Sequence, residues 1–424
     1  MHEEIYLTAK QAAAELSISL PTLYAYVSRG LIRSEPTPGG RSRRYRAEDV
    51  RQLKAKREPQ GGELDKTAQQ ALHWGAPVLD SALTLIADGA LYYRGVDATA
   101  LARDASVEQV ARLLWGVETA DPFTAALLPD RNAAFRTTQQ AVIDLTPLDQ
   151  CLALLPVAAA SDETIFNETA AGRAATGGCI LRLMAQIIGI AGTRAHALAD
   201  DETPLPANAI TTQPLHDYLA RAWHLPTAAA ADILRGALIL CADHELNASA
   251  FTARCVAATR AHLYGVVIAG LTALQGPLHG GHSLRVAAFL EDAARSGDPE
   301  DYLLRRLRAG EKPPGFGHPL YPQGDPRAMQ LFAMLRAVYP DFPQLQIVLT
   351  IRDLVTRTTG EKPNIDYALA SIGFILGLPP SAGLSLFALG RTIGWIAHAI
   401  EQYQAPQLIR PRARYTGETP RIPA

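Results

Sequence analysis

The pattern of apolar and polar positions divides the chain into a short N-terminal segment and a long helical body. In the first segment, Thr8 precedes Gln11 by three residues, the spacing of a capping box in which each side chain satisfies a free backbone amide. A second helix is predicted after Ser19, with Pro21 near its first position and Gly30 at its end. The short loop between the two helices indicates a helix-turn-helix.

A basic hairpin and a third helix complete this segment. Residues 39–46 are Gly-Gly-Arg-Ser-Arg-Arg-Tyr-Arg, which predicts a hairpin tip followed by a basic strand. Residues 47–50 then open the third helix. We expect residues 1–58 to form one small module and residues 59–65 to link it to the body.

The body is predicted to be mainly α-helical. Periodic apolar segments alternate with Gly, Pro or Asp breaks, whereas the alternation that is typical of strands is scarce. The clearest helical segments are 107–114, 171–190, 228–241, 261–274 and 382–401.

One uncharged stretch, residues 367–390, is long enough to cross a bilayer. Pro379 and Pro380 stand in its middle, and a proline pair ends a helix. The stretch therefore predicts two shorter buried helices that meet at a turn, and no membrane partner. The Met-His-Glu-Glu start has neither a basic nor an apolar region of a secretory signal, so a cytoplasmic location is expected.

Composition predicts a folded chain with two to three domains. Hydrophobic residues make up 48% of the 424 residues and charged residues 19%, which is too apolar for disorder. The four cysteines show no zinc spacing and are too few for a disulfide framework. The net charge of −2 combines +4 in residues 1–58 with −6 in the remainder, so only the module is basic.

The module resembles the winged helix-turn-helix of the MerR and excisionase type. Residues 6–13, 23–32 and 44–50 carry the resemblance. It implies a DNA site in which one group of side chains faces a major groove and the wing neutralises phosphates. The groove-facing residues are Thr22, Tyr24, Tyr26 and Arg29, and the wing residues are Arg41, Arg43 and Arg44. The alternative is a small folding module whose arginines form a solvated rim and bind no DNA.

Three blocks of the body place histidine or aspartate among glycines, where backbone can approach a ligand closely. The first runs over 241–249 and leads to 276–282, the second over 314–321 with Asp325-Pro326-Arg327 after it, and the third over 363–367.

Each block also has a purely structural interpretation. His279 lies in a glycine turn where it could cap a helix, and Asp366 follows Pro-Asn, where aspartate is favoured as an N-cap. His282 and His398 are interpreted as structural or surface histidines. His279 and His282 are spaced as metal ligands, but no carboxylate or thiolate cluster completes a site, so no metal is predicted.

Taken together, the blocks resemble the citrate synthase family over residues 66–424. Segments 92–97, 390–398 and 409–417 extend the resemblance. It implies condensation of acetyl-CoA with oxaloacetate and hydrolysis of the citryl-CoA thioester. The CoA thioester is then a substrate, and no cofactor is expected.

The resemblance also implies a role for each site residue. Asp366 matches the family's base, His279 the group that binds the thioester oxygen, and His318 the group that polarises the ketone. The residues that match carboxylate-binding positions are His244, Arg327 and Arg391. Arg410 matches an arginine that the other subunit contributes, which implies a homodimer with shared active sites.

The chain departs from the family at three places, one of which is Cys241, where many relatives have a further histidine. His318 is usually followed by basic residues that help to hold CoA phosphates, but here Pro319 and Pro322 follow. Asp366 is usually followed by an aromatic, a second residue and a serine, whereas residues 367–370 are Tyr-Ala-Leu-Ala. Lys312 and Lys362 are predicted to replace some of the phosphate contacts. These changes leave the CoA affinity and the choice of acyl chain open.

The resemblance predicts a large helical domain over 66–280 and 373–424, and a small helical domain over 281–372. Two alternatives to a citrate synthase remain. One is a 2-methylcitrate synthase that uses propionyl-CoA. The other is a DNA-binding regulator whose synthase-like domain senses oxaloacetate or acyl-CoA. The intact set of His279, His318 and Asp366 favours an enzyme, whereas the missing CoA-site basic residues and the +4 module favour a regulator.

Overall fold

The computed structural model describes residues 6–16, 18–37, 42–57, 79–118, 121–124, 128–129, 131–196, 213–405, 407–413 and 415–418. The chain forms two compact units, Met1–Asp80 and Ser81–Ala424. The predicted linker 59–65 lies outside the described residues. The division of the body into a large and a small domain stays a prediction.

The N-terminal unit has the order that a winged helix-turn-helix requires. Its elements are β1 (Tyr6–Thr8), α1 (Ala9–Glu15), α2 (Leu20–Ser28), β2 (Ser34–Pro36), β3 (Arg43–Arg46) and α3 (Ala47–Arg57). The three strands form an antiparallel sheet in the order β1-β3-β2. We call β2 and β3 the wing. A small core of Ala12, Leu23, Ile32, Tyr45 and Val50 holds the helices against the sheet.

The predicted helix ends of this unit are confirmed. Thr8 and Gln11 form the capping box at the start of α1. The Oγ of Ser19 accepts from the backbone N–H of Thr22 at the start of α2. Gly30 follows α2 with a φ of +72°, a left-handed conformation that glycine adopts without strain.

The body is mainly α-helical, as predicted. Its helices in the described residues are α4 (Ala98–Asp104), α5 (Val107–Trp115), α6 (Ala133–Ala141), α7 (Pro147–Ala159), α8 (Ala170–His196), α9 (Leu215–Ala222), α10 (Ala228–Cys241), α11 (Ala248–Ala258), α12 (Leu263–Leu274), α13 (Gly281–Arg295), α14 (Pro299–Arg308), α15 (Pro326–Val338), α16 (Pro343–Thr359), α17 (Ile365–Ile375) and α18 (Ala382–Gln404), with a short 3-10 helix at Glu163–Phe166. The helix predicted over 228–241 has these bounds in the structure.

A small antiparallel sheet of β4 (Thr84–Ala87), β5 (Ala90–Tyr93) and β6 (Val96–Asp97) opens the body and was not predicted. Its strands are two to four residues long, too short to show an alternating pattern. The sheet is tied to the helices because the hydroxyl of Tyr93 donates to the carbonyl of Ile239 at the end of α10, at 3.0 Å.

The uncharged stretch is broken at the predicted place. Helix α17 ends at Ile375, α18 begins at Ala382, and Pro379 and Pro380 lie between them. Two helical segments, Ala170–Gly192 and Ala382–Gln404, are long and apolar enough to cross a membrane, and most of each is buried within the protein.

Two close contacts position the site. A Cβ atom on Gly390 would lie 2.6 Å from the carbonyl oxygen of Leu238, so α18 packs directly on α10. The loop before α15 is fastened to the residues before α17, because the N–H of Gly317 donates to Lys362 and the N–H of Asn364 donates to Gly315. Residues from distant parts of the sequence are thereby held side by side.

Candidate active site

Six of the residues predicted for the site are linked by ring contacts and electrostatic interactions. We call them the active-site cluster: His244, His279, His318, Arg327, Asp366 and Arg391. The rings of His244 and His318 are 5.3 Å apart. Phe387 joins the other side, because its ring centroid is 6.0 Å from that of His279 and 4.7 Å from the Cζ of Arg391. The Arg327 cation lies near enough to His318 and to Asp366 to oppose protonation of both, and it contributes a lowering of each pKa.

Arg391 on α18 is buried with unused donors. Its side chain is 1% exposed, and its Nε donates to the carbonyl of Cys241 at 2.7 Å. Its Nη1 and Nη2 have no hydrogen-bond partner among the described residues. Burial lowers the pKa of this guanidinium. Because an unpaired buried donor is costly, these two nitrogens are suited to an anionic ligand.

Arg327, at the start of α15, has the opposite environment. It is 2% exposed, and its Nε and Nη2 donate to the two carboxylate oxygens of Asp325 at 2.9 and 2.8 Å. Asp325 also accepts from the backbone N–H of Ile365. This carboxylate therefore fixes the guanidinium and the start of α17 together. Sequence reasoning missed its role, although Asp-Pro before a helix signals an N-cap.

His318 is held as a neutral donor. The backbone N–H of Leu320 donates to its Nδ1 at 3.2 Å, so Nε2 carries the proton of the neutral ring. Burial, and then the nearby Arg327 cation, lower the pKa of His318 to about 4. A neutral imidazole polarises an oxygen by donating its N–H to it.

His244 is fully enclosed beside His318. Its Nε2 hydrogen-bonds the hydroxyl of Tyr321 at 3.0 Å, a partner that sequence reasoning did not assign. Burial, followed by the Arg327 and Arg391 cations, lowers the pKa of His244 well below its usual range. The ring is therefore neutral at pH 7.

His279 lies in the turn before α13 and does not cap that helix, because the N-cap is Gly280. Its Nε2 lies 2.8 Å from the Oγ of Ser249. That Oγ accepts from the indole of Trp395 and donates to Oδ1 of Asn247, and its hydrogen bond with the His279 ring runs in the direction that the ring tautomer sets. Burial, and then the Arg391 cation, lower the pKa of His279 to about 4.

Asp366 lies in the first turn of α17, where the side chain of Asn364 is the N-cap, so the alternative interpretation of Asp366 as the cap is wrong. The hydroxyl of Ser283 donates to its Oδ1 at 2.5 Å. Burial raises the pKa of Asp366, and the Ser283 hydrogen bond opposes that rise. Ser283 carries no sequence signal, since a lone serine four residues after His279 fits any helix.

His282 and His398, which were predicted to be structural or surface histidines, form contacts within the protein. The Nε2 of His398 lies 3.2 Å from Asp243 in the core, and Thr84 donates to the second oxygen of that carboxylate at 2.5 Å. His282 accepts from Arg285 at 2.8 Å. No group of three metal-ligating side chains occurs among the residues that the structure describes.

Three predicted site residues lie at the surface. Lys312 and Arg410 are exposed, and the exposed Lys362 donates to the backbone carbonyl of Gln323 at 3.0 Å. The roles of the two lysines in CoA binding, and that of Arg410 in a partner's active site, stay predictions, as does the homodimer.

The residues predicted to contact DNA are partly engaged within the N-terminal unit. On α2, Tyr24 is 52% exposed, Thr22 is half-buried and Tyr26 packs against the core. Arg29, the C-terminal cap of α2, is exposed. On the wing, the exposed Arg43 donates to the Oγ of Ser34 at 3.0 Å. Arg44 pairs with Glu35 at 3.3 Å and lies 4.1 Å above the ring of Tyr6. Arg41 and the hairpin tip lie outside the described residues.

Comparison with known proteins identifies both parts of the chain. The family "Citrate synthase, C-terminal domain" matches residues 71–412, and the family "Helix-turn-helix domain" matches residues 6–58. The citrate synthase of Haloferax volcanii is 33% identical over 361 residues, which are 81% of this chain and 94% of that protein. The 2-methylcitrate synthase 2 of Corynebacterium glutamicum is 28% identical over 344 residues, 78% of this chain and 90% of that protein.

The fold agrees. A citrate synthase from the archaeon Thermoplasma acidophilum, solved as a ternary complex with carboxymethyl coenzyme A and oxaloacetate, superposes with a TM-score of 0.67. It is 24% identical and covers 82% of this chain and 96% of its own. The chain therefore belongs to the citrate synthase family, as a condensing acyltransferase of that type with a helix-turn-helix domain at its N-terminus.

Proposed function

We propose that this protein condenses acetyl-CoA with oxaloacetate and releases citrate and CoA. The observation that carries the proposal is the environment of Arg391, a buried guanidinium with two unpaired nitrogens beside two neutral histidines. Such a guanidinium fits a carboxylate in a bidentate manner. The ternary complex of the Thermoplasma acidophilum relative, which contains oxaloacetate and a CoA analogue, supports the same substrates.

Oxaloacetate is a dianion with a ketone between its carboxylates. In the proposed complex, Arg391 binds one carboxylate through Nη1 and Nη2, and His244 and Arg327 lie against the second. The Nε2–H of His318 then donates to the ketone oxygen, since Nδ1 already accepts from Leu320. This hydrogen bond draws electrons from the ketone carbon and prepares it for attack.

The acyl donor is activated by Asp366 and His279. Asp366 removes a proton from the carbon next to the thioester, the C–H electron pair forms the carbon–carbon double bond of an enolate, and the π electron pair of the thioester carbonyl moves onto its oxygen. Its oxygen receives a hydrogen bond from the neutral His279 ring. When Ser249 donates to Nε2, the proton of that ring lies on Nδ1 and can face the thioester. Burial of Asp366 raises its pKa, which makes it a stronger base once it is ionised.

Carbon–carbon bond formation follows. The enolate carbon attacks the ketone carbon, and the π electron pair of the ketone moves onto its oxygen, which takes the Nε2 proton of His318. Asp366 then gives up the proton that it removed and His318 regains one, so both side chains return to their starting states. Water then cleaves the citryl thioester and releases the CoA thiol together with citrate. Proton transfers and fixed dipoles account for every step, so no cofactor is proposed beyond the CoA of the substrate.

The acyl group separates the leading proposal from its nearest alternative. Relatives named 2-methylcitrate synthase are about as similar to this chain as those named citrate synthase. A 2-methylcitrate synthase would require space for one further methyl group beside the His279 and Phe387 rings. We propose acetyl-CoA as the preferred donor, with propionyl-CoA as the competing outcome of the test.

The test follows CoA release from acetyl-CoA and from propionyl-CoA, each with oxaloacetate, for the wild type and for Asp366→Asn. We expect turnover that is faster with acetyl-CoA, and a loss of about 100-fold or more in kcat in the variant, because a general base typically contributes 10²–10⁴-fold. Faster turnover with propionyl-CoA establishes the methylcitrate alternative. No turnover with either donor overturns the proposal and favours the regulator.

The helix-turn-helix domain supports a second activity. We propose that the N-terminal unit binds DNA, with Tyr24 of α2 and Arg29 at the C-terminal cap of α2 in the major groove, and with Arg43 and Arg44 on phosphates. The exposure of Tyr24 on the second helix and of Arg29 at its end favours this geometry. A gel-shift screen of genomic fragments at a stated salt concentration tests it, and failure to shift any fragment at low salt contradicts it.

A further inference from the structure

Ser283 lies in the first turn of α13 and is 1% exposed. Its hydroxyl donates to Oδ1 of Asp366, which is 83 positions away in the sequence and lies in the first turn of α17. At 2.5 Å this is a short hydrogen bond, as charge-assisted O–H···O⁻ bonds are. The two residues meet because α13 packs against α17.

We propose that Ser283 is a positioning residue for the reaction: its hydroxyl holds Oδ1 of Asp366, so that Oδ2 is the atom that receives the α-proton of the acyl-CoA. This inference rests on the proposed function. Within the described residues no hydrogen bond reaches Oδ2, and Asp366 is half-buried rather than enclosed. One oxygen is therefore anchored and the other is free.

Anchoring matters because the terminal torsion of an aspartate side chain is broad. Without a donor on Oδ1, the carboxylate plane turns, and the lone pair of Oδ2 leaves the line of the C–H bond. In the proton transfer the C–H bond breaks, an O–H bond forms on Oδ2, and the C–H electron pair moves into the carbon–carbon double bond of the enolate. A misaligned carboxylate slows this step without weakening oxaloacetate binding.

The Ser283 hydrogen bond also favours the ionised carboxylate, against the effect of burial. Other charges act on Asp366 from the elements packed around it, and they remain when Ser283 is replaced. They are His282 on α13, Arg327 on α15 and Asp325 before α15. Asp366 in turn helps to raise the pKa of the buried, uncharged thiol of Cys241 on α10. Arg352 and Asp353 on α16 affect the pKa of the neighbouring Tyr367 in opposite directions. Arg391 on α18 lowers the pKa values of His279 and Cys241.

The experiment measures kcat/KM for acetyl-CoA against pH in Ser283→Ala. We expect kcat/KM to fall by about 10- to 100-fold, the range for loss of a hydrogen bond to a charged group. Asp366 must be ionised to accept a proton, so kcat/KM rises with pH as this carboxyl ionises. Removing the Ser283 donor raises the pKa of Asp366. The acid limb of the pH profile, the range over which kcat/KM rises with pH, therefore moves to higher pH by about one unit. The KM for oxaloacetate stays at the wild-type value.

Conservative variants and a matched control separate positioning from folding. Ser283→Thr keeps the hydroxyl and should restore the acid limb, whereas Ser283→Cys offers a weaker donor and should shift it part of the way. Ser371→Ala is the control: this serine on α17 is also fully buried, and its hydroxyl donates to the carbonyl of Tyr367 at 2.7 Å. Its acid limb should match that of the wild type.

The outcomes are distinguishable. Wild-type turnover in Asp366→Asn overturns the base assignment and the role of Ser283 with it, whereas the absence of turnover in the wild type overturns the proposed function. Loss of turnover in Asp366→Asn, with a wild-type rate and acid limb in Ser283→Ala, overturns only the role of Ser283. If Ser283→Ala fails to fold, the acid limb of Ser283→Cys decides the question, and an unshifted limb in that variant contradicts the proposal.

Discussion

The arginines of the active-site cluster and those of the wing lie in different surroundings. Arg327 and Arg391 are both buried. Arg327 forms an ion pair with Asp325, whereas Arg391 interacts with Asp243 at longer range and forms no ion pair with any described carboxylate. Arg43 and Arg44 lie on a short strand, where solvent reaches both and each donates to a neighbour in the same small sheet. Burial raises the free-energy cost of an unpaired charge. Arginine therefore has three environments in this chain: buried with a carboxylate partner, buried without an ion pair among the described residues, and exposed to solvent.

This difference distinguishes arginines whose hydrogen bonds are satisfied by the fold from those whose donors remain available to a ligand. A buried guanidinium that its own fold satisfies holds elements together, as Arg327 and Asp325 do for α15 and α17. A buried guanidinium that its fold leaves unsatisfied is stabilised fully only when a ligand arrives, and Arg391 has that environment. An exposed guanidinium contributes little to stability and is available to phosphates.

The largest effect on stability is expected at the satisfied arginine. Asp325→Asn removes the charge that compensates Arg327 in the core, and breaking such a pair costs about 3–5 kcal/mol. Urea unfolding should show a clearly lower midpoint, and kcat/KM should fall as well, because the start of α17 loses its anchor. A wild-type midpoint contradicts the structural role given to this pair.

Replacing Arg391 should weaken substrate binding rather than folding. In Arg391→Gln, loss of a buried charge partner for oxaloacetate costs about 2–5 kcal/mol, which is about 30- to 5,000-fold in affinity. Oxaloacetate should raise the unfolding temperature of the wild type but not that of the variant. Without ligand, the free energy of unfolding should stay within about 1 kcal/mol of wild type, because the variant loses one hydrogen bond and a longer-range attraction to Asp243 but also removes a buried charge that forms no ion pair among the described residues.

Arg254→Gln is the matched control for that prediction. Arg254 is buried as well, but its guanidinium donates to Gln402 at 2.8 Å and pairs with Glu401 at 2.6 Å. Its replacement should lower the urea midpoint and leave the KM for oxaloacetate unchanged. An unchanged KM for oxaloacetate in Arg391→Gln removes the main support for the proposed substrate.

Much of the fold could be predicted because its signals are local. The capping box of Thr8 and Gln11, the helix over 228–241 and the break at Pro379 depend on residues within a few positions of one another. The short strands β4 to β6 could not be predicted, because two to four residues carry no period.

The site was predicted less completely, for a related reason. Histidines, arginines and aspartates among glycines are visible in the sequence, and a family resemblance gives them roles. The residues that orient them are not visible. Ser249 is 30 positions from His279, and Ser283 is 83 positions from Asp366, so only tertiary packing brings each pair together. The Asp-Pro pair at 325–326 is typical of a helix N-cap, but no nearby residue in the sequence indicates the contact of Asp325 with Ile365.

The smallest effects on stability are expected at the wing, where two neighbouring arginines differ in their contacts. Arg44→Ala removes an exposed ion pair with Glu35 and the contact with the Tyr6 ring, which together contribute about 1 kcal/mol or less. Arg43→Ala removes only exposed hydrogen bonds to Ser34, so it should leave the unfolding temperature unchanged. If both side chains contact phosphates, each replacement lowers the slope of log affinity against log salt by about 1. Fluorescence anisotropy with a bound genomic fragment at several salt concentrations measures that slope. A wild-type slope in both variants refutes the assignment of the wing to DNA and leaves Arg44 as a structural residue of the small sheet.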